Sequence, residues 1–90
     1  MSKTFNTAEE ARDIIIGLRN QLKRLPYNPD LHKFVNNIGE MNCKLSQLEV
    51  YARRTPPRSR YHMQFNKHRE EMINAIKHLE HLILMATLMA

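Results

Sequence analysis

The stretch Tyr51 to His62, YARRTPPRSRYH, puts four arginines and two prolines into twelve residues. Guanidinium groups suit phosphate and carboxylate because their planar fork donates two hydrogen bonds at once. Tyr51 and Tyr61 bracket the segment, and an aromatic ring beside cations offers a stacking platform for an unpaired base. Six basic side chains lie between Val50 and Arg69 (Arg53, Arg54, Arg58, Arg60, Lys67 and Arg69), with no acidic one. The other seventy residues carry eight basic and nine acidic groups, so the whole excess of this +5 chain sits in one segment. Three readings of the segment stand side by side. It is a solvated turn whose Arg53 and Arg54 favour the carboxyl end of a helix dipole, a phosphate grip for DNA or RNA, or a contact for an acidic protein surface. No zinc-finger spacing, RNA-recognition motif or helix-turn-helix accompanies it.

Other residues with chemical potential are less well supported. His68 falls on an apolar helical stripe, where a histidine is most often a core residue with one hydrogen bond. His78 and His81 share one helix side and offer two metal positions, whereas zinc needs three or four. Paired iron would want Glu-x-x-His on two helices, and that motif is missing. Cys43 has no histidine three or four places away to activate a thiolate, and Lys33 and Lys44 are poor substitutes. No Ser-His-Asp set, glycine-rich phosphate loop or close pair of buried carboxylates can be assembled. The expectation is a protein that is not an enzyme and has no metal or cofactor.

The elements that carry these residues follow from period and punctuation. A first helix over 8–25 starts at Thr7, with Glu10 at capping-box spacing and Glu9, Glu10 and Asp13 complementing the dipole. Its apolar positions are 8, 11, 15, 18, 22 and 25, and Pro26 stops it. A second helix over 29–54 opens on Asn28 as cap and Pro29 at the first position. Its stripe is Leu31, Phe34, Ile38, Met41, Leu45, Leu48 and Ala52, a heptad spacing. A third helix over 59–88 is capped by Ser59 and faces inward with Tyr61, Phe65, His68, Met72, Ile76, Leu79, Ile83 and Ala86. The expected fold is all-α, an antiparallel three-helix bundle in a single helical domain over 1–90, with long second and third helices.

The turns also fix a register. Facing residues should sum to about 56 across the first two helices and about 113 across the last two, and apolar then meets apolar in nearly every layer. The first sum sets Gly17 opposite Gly39, which fits either a close backbone approach or two unrelated, tolerated glycines. The third helix outlasts its partner, leaving Leu84, Met85, Leu88 and Met89 overhanging. A helix end that is apolar all round should be buried, against the Pro26 turn or another chain. At the opposite end the arginine turn protrudes, flanked by Tyr51, Tyr61 and Phe5.

At ninety residues the chain is small enough that oligomerisation is a common route to stability, and a dimer is expected. The polar, acidic start MSKTFNTAEEARD is unlike a secretory leader, and the apolar run LILMATLMA at 82–90 is too short to span a bilayer. One cysteine suits a reducing compartment, so the expected location is cytoplasmic, with no membrane partner. Together these features describe a small regulatory or inhibitory protein. It would bind a larger protein through Leu84, Met85, Leu88 and Met89, and through the tip formed by Tyr51, Arg53, Arg54, Arg58, Arg60, Tyr61 and Lys67. The competing reading is a nucleic-acid-binding dimer that uses the Arg53–Lys67 segment.

Overall fold

The computed structural model describes residues 4–89; Ala90, the last residue of the apolar run, lies outside them. Three helices account for about four-fifths of the described chain: α1 (Ala8–Leu22), α2 (Pro29–Arg53) and α3 (Arg60–Met89). They form an all-α three-helix bundle in which α2 and α3 are the main antiparallel pair and α1 lies chiefly along α2. The long axis measures 49 Å and the others 21 and 17 Å. Among the described residues no helix is long and apolar enough to cross a membrane.

The starts of α1 and α2 have a chemical cause. Thr7 Oγ1 accepts from the Glu10 amide at 3.2 Å, and Glu10 Oε2 accepts from the Asn6 amide at 2.8 Å. The reciprocal bond of the capping box thus lands one residue before the cap. Asn28 Oδ1 accepts from both Asp30 and Leu31, with Pro29 at the first helical position. Helix α1 ends three residues earlier than expected. Pro26 disfavours the helical region for Leu25, and the chain tightens beforehand, with Arg24 donating to Gln21 and Leu25 to Leu22.

The register read from the turns recurs in the contacts. Tyr51 stacks on Tyr61 and Phe34 lies 5.6 Å from His78, both pairs summing to 112 in residue number. Glu49 Oε2 accepts from the Ala8 amide, a pair summing to 57. The layers therefore align as the turn positions demand.

Which side of each stripe is buried depends on α1. On α2 the buried residues are Leu31, Val35, Ile38, Leu45 and Ala52, while Phe34, Met41 and Leu48 are half-buried. On α3 they are Met72, Ile73, Ile76, Leu79 and Ile83, while Phe65, His68 and Ala86 are half-buried. Val35 and Ile73 join the core because α1 packs on that side.

Two expectations need correction. Gly17 and Gly39 do not mark a close approach of backbones. A β-carbon at Gly17 would meet nothing within 4 Å, and one at Gly39 would meet only the tip of the Arg19 side chain. Equal height along the bundle did not imply facing azimuth. Phe5, expected beside the arginine turn, is only 2% exposed and belongs to the hydrophobic core. The segment before α1 folds inward, and Arg69 Nη1 donates to Asn6 Oδ1 at 3.0 Å.

Candidate functional site

The arginine turn is built by the failure of α2 to continue through Pro56 and Pro57. Arg54 caps the helix, its amide donating to Tyr51, and the Thr55 amide donates to Ala52. Thr55 Oγ1 donates to the Ala52 carbonyl at 3.2 Å and receives the Ser59 hydroxyl at 2.7 Å. His62 Nε2 donates to the Thr55 carbonyl at 3.3 Å. Ser59 stands at the head of α3, its carbonyl accepting from His62. Its hydroxyl bonds Thr55 across the turn, so among the described residues the side chain expected to cap α3 pins the turn instead of an amide of the helix.

On this frame Arg53, Arg54, Arg58 and Arg60 are all exposed, as is Lys67 about two turns along α3. Arg53 pairs with Glu49 at 3.2 Å, a surface contact of a few tenths of a kcal/mol. Arg54, Arg58, Arg60 and Lys67 make no ion pair among the described residues. Tyr51 and Tyr61 stack with centroids 5.4 Å apart at 24°, and the Arg60 guanidinium stands 5.6 Å over the Tyr61 ring. Tyr51 keeps 52% of its surface exposed. Arg69 is not part of this group: its side chain is three-quarters covered and turned to Asn6.

A residue outside the basic segment joins it in space. Lys44 on α2 and Lys67 on α3 line one shallow cleft of about 200 Å³ with Leu48, Gln64, His68 and Glu71. Nothing in the local composition around Lys44 singles it out; only the pairing of α2 with α3 does. His68 lies half-buried at the cleft floor, its Nε2 donating to the Met41 carbonyl at 2.8 Å. The single hydrogen bond matches the expectation, but the residue sits at the edge of the core, in the cleft lining, with Glu71 3.8 Å from its Nδ1.

At the far end of the molecule the overhang is present. Leu84, Met85, Leu88 and Met89 are 55%, 44%, 73% and 82% exposed. Ala86 and Met89 border an open groove of about 300 Å³ with Leu25, Tyr27 and Leu31, beside the Pro26 turn. The apolar end thus leans toward that turn without being covered by it.

The other reactive groups stay scattered. Cys43 is exposed. His78 is exposed and lies against Phe34, while His81 borders a separate cleft with Gln21, Lys77 and Glu80. Among the described residues, no three His, Cys, Asp or Glu side chains are placed to share a metal ion.

The fold and site define a small all-α bundle with a cationic, aromatic tip at one end and an apolar helix end at the other. Comparison with protein-family models, with curated proteins and with solved structures finds no match.

Proposed function

We propose that this chain is a non-enzymatic regulatory or inhibitory protein that docks onto a larger protein through the apolar end of α3. The observation that carries the reading is the exposure of Leu84, Met85, Leu88 and Met89 on consecutive turns. A contiguous apolar patch of this kind is the usual mark of an interaction surface, and none of the other described residues covers it. In the absence of a larger partner the apolar end pairs two copies as a dimer. Cytoplasmic residence belongs to the same proposal, supported by the lone cysteine.

The test is the double variant Leu84→Asp with Leu88→Asp. Sedimentation equilibrium is expected to give a dimer mass for the unmodified chain and a monomer mass for the variant, at unchanged helicity. Equal masses, with an equally undiminished partner pull-down, would remove the reading's support.

A further inference from the structure

The arginine turn opens onto a longer feature. Lys44, Leu48 and Tyr51 recur on α2 at steps of four and three, and Tyr61, Gln64, Lys67 and Glu71 on α3 at three, three and four. Such spacing keeps each set on one helix face. The stacked tyrosines and the cleft below them are therefore one surface, lined by α2 and α3 alone. It runs about 10 Å from Tyr51 to Lys44 at the helical rise. Lys67 and Lys44 line the cleft, Arg60 stands over the Tyr61 ring, and Arg54 and Arg58 are exposed in the turn above. One carboxylate, Glu71, stands at the lower end, 3.8 Å from His68 Nδ1.

We infer that this surface binds single-stranded nucleic acid, with a base stacked on the exposed Tyr51 ring and the backbone phosphates following Arg58, Arg60, Lys67 and Lys44. Two independent features meet in it. Cations without carboxylate partners among the described residues leave their charge available to phosphate, and guanidinium takes phosphate in bidentate fashion. An aromatic stack that keeps ring surface open to solvent has a match in the π-face of an unpaired base, and every base offers one. An acidic protein surface would use the cations and leave the ring without a role. Duplex bases present only their edges, and the narrow tip offers no length of helix to lie in a groove. The inference rests on the tip and the cleft below it and does not depend on docking at the end of α3.

The experiment is fluorescence anisotropy of the full chain with fluorescein-labelled oligo(U) and oligo(dT) dodecamers. With four phosphate contacts at the single-strand salt slope, affinity is expected to fall about 50-fold between roughly 50 and 200 mM salt. Tyr51→Ala is expected to weaken binding about fivefold or more at the lower salt. Arg58→Glu and Lys44→Glu, at exposed positions one in the turn and one in the cleft, are each expected to weaken it and flatten the salt slope. Far-UV circular dichroism confirms that each variant is folded. Leu84→Asp with Leu88→Asp is expected to bind as the unmodified chain does, so failure here is distinguishable from failure of docking. Absence of binding at 50 mM overturns the inference. So does undiminished binding by folded Tyr51→Ala, equal affinity for a duplex of the same sequence, or displacement of the oligonucleotide by polyglutamate at matched charge.

Discussion

His68 shows how a polar residue earns a place on an apolar stripe. Its Nε2 donates to the Met41 carbonyl at 2.8 Å, and the side chain is only 12% exposed. That carbonyl faces the next turn of α2, so the imidazole adds a bond where the helix already has one. Removing ring and bond together in His68→Ala is expected to cost about 1–3 kcal/mol in urea unfolding. His68→Leu refills most of the volume and leaves the carbonyl with its helical partner, so its cost is expected below about 1.5 kcal/mol. Equal losses for the two variants would show that packing plays no part. The role of His68 was legible because the period placed it opposite Leu45. Phe5 was not legible, because no helical period covers it. It reaches the core through an extended segment whose path depends on Asn6, Glu10 and Arg69.

Among the elements, helix starts were legible and helix faces only partly so. Thr7 and Asn28 act through side-chain oxygens at fixed offsets from the amides they satisfy, a strictly local arrangement. Asn28→Ala is expected to lower stability by about 1 kcal/mol, read as a shift in the urea midpoint at constant slope. A change in slope would mean that the cap also shapes the unfolded ensemble. Faces are less local. A heptad stripe names the residues that point inward on average, and the azimuth is then set by whichever neighbour arrives. Here α1 chose Val35 and Ile73 over Phe34 and Phe65. The same rotation explains why Gly17 and Gly39 share a height and do not touch. The three-helix architecture itself followed from two proline-bearing turns and needed no tertiary information.

Taken whole, the molecule is a rod 49 Å long with different chemistry at each end. The charged tip was visible as composition, whereas the cleft that extends it was not. Lys44 lies outside the basic segment and meets Lys67 only through the pairing of α2 with α3. If two copies join through Leu84 and Leu88, they join end to end. Small-angle scattering of the dimer is then expected to give a maximum dimension approaching twice the single-chain length. A dimer no longer than one chain would place the contact along the side of the bundle instead.

The order of the helices has a kinetic corollary. Each packs chiefly on its neighbour along the chain, and the α1–α3 contact is the slightest of the three. Productive encounters on the way to the native state therefore span short loops, and closing such loops is rapid. This topology belongs with the helical bundles that fold in microseconds to milliseconds. The 54–59 reversal joins the two longest partners, so it is the natural place for assembly to nucleate. The residues that present arginine to solvent would then also help set how quickly the chain becomes a bundle at all.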